Sequence, residues 1–233
     1  VPGNYTTPSL VVKKVLEHGC RSISYTYVEP TIFFEFAIET AELAFNQQIK
    51  NVFVSNGYTS PEATMKLAPF LTANNIDLKS FSDTFYRQIC NAKLTPVLET
   101  ITLMKELGVW VEVTTLIIPG LNDSDKELEQ IANFLVSLDP QIPWHVSRFH
   151  PTYKLLDRPM TPSETLHRAR DIGKAAGLNY IYTGNINGQG GEDTQCPQCD
   201  TTLIKRGGYT VYENLLEHNR CPKCHAIVAG IWA

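Results

Sequence analysis

No stretch of this sequence approaches the roughly 18 consecutive apolar residues of a membrane-crossing helix, and no charged-then-apolar leader opens it. Those absences point to a cytoplasmic protein without a membrane partner. A basic surplus is missing too: 20 Lys and Arg stand against 24 Asp and Glu, a net charge of −4 at pH 7. That balance argues against a dedicated nucleic-acid binder. The six cysteines do not form a secreted disulfide framework, because four of them fall into two Cys-x-x-Cys pairs, which in a reducing compartment favours metal. What is present is ordinary. With 233 residues, 43% hydrophobic and 19% charged, the chain can build one barrel-sized core and a small appendage. It begins with Val1 rather than Met, as a processed or truncated chain would.

Hydrophobic periodicity sets out the order of elements. Leu10, Val11, Val15 and Leu16 lie at helical spacing before Gly19, and Ser22–Tyr27 reads as a strand. Thr31–Gln48 carries a broad apolar helical stripe, Asn51–Ser55 returns to strand, and Ser60-Pro61 opens a helix to Asn74. A short strand at 76–79, helices at 82–91 and 96–107, and a β-branched strand at 109–118 follow. A helix at 124–138, a strand at 144–149, a helix at 163–176 closed by Gly177 and a strand at 179–182 complete the series. Strands alternating with helices mean βαβ units and a parallel sheet. Six strands and no internal repeat predict an α/β fold of the partial (β/α) barrel kind over residues 1–184, since a complete barrel takes about 250 residues. A glycine-rich connection, Thr183–Gly191, then leads to a separate segment, 185–233.

That segment holds Cys196-Pro197-Gln198-Cys199 and Cys221-Pro222-Lys223-Cys224. Two such knuckles supply four thiolates to one tetrahedral metal, Zn²⁺ or a rubredoxin-like Fe, in a small ribbon with too little apolar content to fold on its own core. Cys221–His225 also matches a haem-attachment run, but the partner pair lacks a His.

The strands share a second property: each ends in polar residues, and the C-terminal ends of parallel strands are where such sheets hold their chemistry. Glu29 follows the first strand with Pro30 after it, a strand-to-helix junction that leaves its side chain free. Asn56 ends the second strand, and Asp77 and Lys79, two apart, project to one face of the third. A carboxylate and an ammonium beside an amide suit a ligand with an amino-acid end, Lys79 on its carboxylate and Glu29 on its ammonium.

The runs Tyr25–Thr31, Ser55–Tyr58, Asp77-Leu78-Lys79, Ile118–Asp123 and Phe149-His150-Pro151 resemble the radical S-adenosylmethionine (SAM) enzymes related to pyruvate formate-lyase activating enzymes. With the terminal Cys-Pro-x-Cys pairs, the similarity is greatest to the AmmeMemoRadiSam-system members. The resemblance implies a SAM-binding barrel rim in which Glu29 stands at the element contacting the methionine amino group, with Tyr27-Val28 replacing two glycines. It implies that Asp77 and Lys79 contact ribose and carboxylate, and that Asn56 and His150 line the same pocket, His150 nearest the reaction. His145 reads as a packed core or rim residue, and His18, His167 and His218 as helix-surface residues. The family holds a [4Fe-4S] cluster through Cys-x-x-x-Cys-x-x-Cys, a triplet this sequence lacks. It would lie upstream of Val1, and Cys20 and Cys90 would be ordinary buried thiols. The implied activity is reductive cleavage of SAM to a 5′-deoxyadenosyl radical that abstracts hydrogen from a substrate. A flavodoxin or ferredoxin would donate the electron, and a partner protein could be the substrate. Two other readings stay open: an aldolase-like barrel using Lys79 as a Schiff base, and a scaffold whose ribbon docks a partner beside a vestigial pocket.

Overall fold

The computed structural model describes residues 5–186, 188 and 190–232, so Val1, and Asn187 and Gln189 of the glycine-rich connection, lie outside the described residues. Helix α1 (Pro8–Glu17) starts on Thr7, whose hydroxyl accepts from the Leu10 amide. Strand β1 (Ser22–Tyr25), α2 (Phe34–Phe45), β2 (Lys50–Ser55), α3 (Pro61–Leu67) and β3 (Ala73–Asp77) follow. Then come α4 (Asp83–Phe85), α5 (Leu94–Glu106), β4 (Trp110–Ile117), α6 (Asp125–Leu138), β5 (Trp144–Arg148), α7 (Ser163–Ala176) and β6 (Ile181–Gly184). The six strands form one sheet in chain order, the α/β architecture expected from the alternation of elements. A second, three-stranded antiparallel sheet comprises β7 (Thr194–Gln195), β8 (Thr202–Gly207) and β9 (Thr210–Asn214).

The chain divides into two compact units. One runs up to Asp77 and resumes from Thr95 to Val111; the other comprises Leu78–Leu94 and the chain from Glu112 onward. In the first, β1, β2 and β3 pair in parallel, and the Trp110 amide donates to the Thr72 carbonyl. Its most committed polar group is Asn51, fully buried, which accepts from the Tyr25 hydroxyl at 3.0 Å and donates to the carbonyls of Ala41 and Phe70. One amide thereby ties two strands to the helical side of the unit. In the second unit, β4, β5 and β6 pair in parallel, and Trp144 lies fully buried with its indole N–H on the Thr115 hydroxyl, which itself donates to the Leu78 carbonyl.

Three local expectations are corrected. The first strand stops at Tyr25 because Tyr27 takes a left-handed backbone (φ 69°), and Pro30–Phe33 forms a 3₁₀ turn before α2 instead of a first α-helical turn. The helix begun at Pro61 ends at Leu67, since Pro69 has no amide hydrogen to continue it, so the chain enters β3 at Ala73 rather than at Ile76. Lys79 therefore lies two residues beyond the end of β3. The third correction is at 86–90, where the predicted helix is π-helical and closes on Asn91 in the left-handed region.

Candidate functional site

Glu29 follows β1 and caps the 3₁₀ turn after it. Its Oε1 accepts from the Thr31 amide (3.3 Å), the Thr31 hydroxyl (3.0 Å) and the Ser55 hydroxyl (2.9 Å), while Oε2 accepts from the Asn56 amide at 2.7 Å. The side chain is thus engaged rather than free as the sequence implied, because the end of β2 presents donors to it. An ionised carboxylate offers about four lone-pair sites, and among the described residues Oε2 carries a single hydrogen bond, from the Asn56 amide. Room for one further donor, such as an ammonium, remains on that oxygen.

Asn56 is drawn to the same place. Its side-chain oxygen accepts from the Tyr58 amide (2.8 Å), and Ser55 accepts from the Gly57 amide, so the turn after β2 is built from its own side chains. Gly57 has φ +72°, and a Cβ there would lie 2.7 Å from Ile76 Cγ2, so no larger residue fits. Asp77, the last residue of β3, is half-buried in this unit. The structure thus joins Glu29 to Asn56.

In the second unit, the Lys79 amide donates to the Tyr86 hydroxyl (3.1 Å), and its carbonyl accepts from the Asn122 amide group at 2.6 Å. Asn122 is 1% exposed and also holds the Ile118 amide and the Leu116 carbonyl, so the Pro119–Asp123 turn is clamped to the Lys79 backbone. His150 lies two residues beyond β5, exposed and without a hydrogen bond among the described residues. His218 is a loop residue with φ 62°, not a helix-surface one, and Cys20 is exposed, not buried. Cys90 is half-buried, and desolvation pushes its thiol up against the opposing pull of the Lys79 charge.

The four paired cysteines meet. Their sulfurs all lie within 4.8 Å of one another, with Cys196–Cys224 at 3.5 Å and Cys199–Cys221 at 3.7 Å. Bonds of about 2.3 Å to a tetrahedral metal imply sulfur separations of about 3.8 Å, and the group can hold such a metal. Both knuckles are wound alike: the Asp200 amide donates to the Cys196 carbonyl and the His225 amide to the Cys221 carbonyl, with Asp200 and His225 left-handed. Thr201 holds the Cys199 thiol down, to about 6, through hydrogen bonds from its hydroxyl and its backbone.

One cluster escaped the sequence reading. Glu112 Oε2 lies 2.7 Å from His145 Nε2, and the His145 ring stacks on Tyr182 at 5.2 Å between centroids. Period-two alternation in β4 and β5, polar at Glu112 and Thr114 and at His145 and Ser147, was the signal that could have found it.

A general model of the radical SAM superfamily matches residues 2–135. The uncharacterized protein MJ0808 of Methanocaldococcus jannaschii is 44% identical over 227 residues, 96% of this chain and 67% of that protein. Among solved structures, a domain of a pyruvate-formate lyase-activating enzyme from Bacteroides vulgatus matches with TM-score 0.62 and 21% identity, over 70% of this chain and 98% of that one. Streptococcus suis SuiB bound to S-adenosylmethionine matches with TM-score 0.63 and 12% identity, over 78% and 44%. These two likenesses speak to the fold. The family match, covering more than half of the sequence and both the Glu29 and the Lys79 neighbourhoods, shows that this chain belongs to the radical SAM superfamily.

Proposed function

We propose that this chain is the SAM-binding core of a radical SAM enzyme of the activating-enzyme-like, AmmeMemoRadiSam kind. Residues 1–184 bind the cofactor and residues 185–233 form a Cys₄ ribbon, best suited to Zn²⁺. The observation that carries the reading is the Glu29 carboxylate, fixed by Thr31, Ser55 and Asn56 yet carrying, among the described residues, one hydrogen bond on Oε2. In this reading Oε2 receives the methionine ammonium of SAM, and Lys79 its carboxylate. Asp77 takes the ribose hydroxyls, and Asn56 and His150 line the pocket. A carboxylate suits the ammonium, and a lysine the carboxylate, of a zwitterionic ligand.

The cysteines present do not fit a [4Fe-4S] cluster of this family. Cys20 and Cys90 stand alone, and Cys196, Cys199, Cys221 and Cys224 are paired two and two in the ribbon. The reading therefore assigns the cluster to residues outside this sequence. When bound, the cluster would supply the electron that converts SAM to a 5′-deoxyadenosyl radical. The part of this chain is to bind and orient SAM at the strand ends.

Isothermal calorimetry with SAM tests this directly. Micromolar binding by the chain, lost in Lys79→Ala and in Asp77→Ala with unfolding curves unchanged, is the expected result. No heat of binding by the unaltered chain, or full affinity in both variants, would overturn the assignment. A borohydride-trapped carbonyl adduct at Lys79 would instead favour the aldolase-like reading.

A further inference from the structure

The face of β4, β5 and β6 that carries Glu112, Thr114, His145, Ser147 and Tyr182 is polar, and its residues stand in register. Thr114 pairs with His145 and His145 with Tyr182; one step toward the C-terminal ends, Leu116 pairs with Ser147 and Ser147 with Gly184. The lower row is bulky, and above His145 and Tyr182 the upper one carries only a serine and a glycine, with Leu116 beside them on β4. A Cβ on Gly184 would sit 3.1 Å from Ser147 Oγ, so the two lie close together with little side chain above the His145–Tyr182 floor. His145, Ser147, Tyr182 and Gly184 are each partly exposed on this face, so a small ligand can reach them.

His145 is held more firmly than a half-exposed histidine needs. Its side chain is 31% exposed, yet Nε2 is committed to Glu112 at 2.7 Å and the ring is backed by Tyr182. Tyr182 is itself fixed: its hydroxyl lies 3.0 Å from Thr194 Oγ1, Arg206 donates to that Thr194 oxygen at 2.6 Å, and the Arg206 guanidinium sits 5.8 Å over the Tyr182 ring. An ionised carboxylate can only accept, so the proton of the neutral imidazole lies on Nε2 and Nδ1 is left as an acceptor. Nδ1 has no hydrogen-bond partner among the described residues. A carboxylate that orients an imidazole and leaves its other nitrogen open is the arrangement of a general base.

We propose that His145, positioned by Glu112, is a proton-accepting contact for a small ligand with a hydroxyl or N–H donor, bound on the polar face of β4–β6 beside Ser147 and Gly184. The proton passes from the donor atom of the ligand to Nδ1, no electrons change hands, and the resulting imidazolium is balanced by the Glu112 carboxylate. The site lies wholly within the second unit, and the proposal goes beyond the SAM assignment without depending on it.

The test uses the metal-loaded chain, ¹⁵N-labelled at histidine, with long-range proton–nitrogen spectra and phenol as a hydroxyl-bearing probe. His145→Gln identifies the His145 resonances among those of the six histidines. The expected result is an Nε2–H imidazole whose Nδ1 resonance moves on phenol addition while the other histidines stay still. Ser147→Leu, which fills the space above the ring, removes the phenol response and keeps the tautomer. Glu112→Gln, whose amide can also donate, releases the tautomer preference. A proton on Nδ1, a phenol response that Ser147→Leu does not change, or no response confined to His145 overturns the proposal. SAM is absent throughout, so a negative result leaves the calorimetric test of the cofactor site standing.

Discussion

Replacing Glu29 separates what this carboxylate does for the fold from what it does for a ligand. Glutamine can keep most of the network by turning its oxygen toward the Asn56 amide. Its NH₂ group then meets the hydroxyls of Thr31 and Ser55, which can accept, and the Thr31 amide, which cannot. The loss is one capping bond and the charge assistance on another, about 1–2 kcal/mol. Alanine removes every acceptor and leaves the Asn56 amide and the first amide of the 3₁₀ turn to water, about 2–4 kcal/mol. Urea unfolding at saturating metal, followed by tryptophan fluorescence, should therefore rank Glu29 above Gln and Gln above Ala. An Ala variant within about 0.5 kcal/mol of the parent, the ordinary scatter of surface changes, would refute the network. In Glu29→Gln the fold survives but the charge is gone, so SAM affinity should fall at least tenfold, roughly 1.4 kcal/mol. Unchanged affinity would mean that this carboxylate serves the fold alone.

Asn51→Ala strands the Tyr25 hydroxyl and the carbonyls of Ala41 and Phe70 in the buried interior; a loss of about 3 kcal/mol or more is expected by denaturant titration. Tyr27→Gly relieves a left-handed backbone at a side chain that is fully exposed, so it should stabilise by up to about 1 kcal/mol in the same assay. Metal analysis should give one ion per chain, absent in Cys199→Ser/Cys221→Ser. Because the metal takes thiolates, its binding releases protons, and affinity should fall as pH falls. The Cys199 thiol, held down by Thr201, favours the thiolate that the metal takes.

The alternation of β-branched runs with amphipathic helices made the parallel sheet legible, and the two Cys-Pro-x-Cys pairs made the thiol cluster legible, because both rest on local spacing. Element ends were less so. Pro69 and Tyr27 decide where α3 and β1 stop, and only Pro69 announces itself in sequence; a tyrosine gives no sign that its backbone is left-handed. Position in the sequence marks Glu29 but not its donors on Ser55 and Asn56, which lie 26 and 27 residues away at the end of β2. Asn122 is a similar case: it stands just before α6 in sequence, but tertiary structure gives it the Lys79 carbonyl. In sequence His145 reads as a packed core or rim residue, because it lies in a strand that carries Trp144. Neighbours on a strand face opposite ways, so the burial of Trp144 is itself a reason to expect His145 on the open side.

The ribbon is more than an appendage to β6. Tyr180, just before that strand, lies within the same buried cluster as Cys196, Cys221, Leu203, Ile204 and Val228, and its hydroxyl accepts from the Ala229 amide. Tyr182 packs against that cluster as well, so two tyrosines of alternate register are both held by residues beyond 190. Without metal, a segment this poor in apolar residues has little to fold around, and the energy of closing the four thiolates is folding energy. Part of it must then reach β6 through Tyr180 and Tyr182, and through Tyr182 the ring stacked on it, His145. The four cysteines thereby help to fix a histidine that the strands hold in place by both a carboxylate and an aromatic ring.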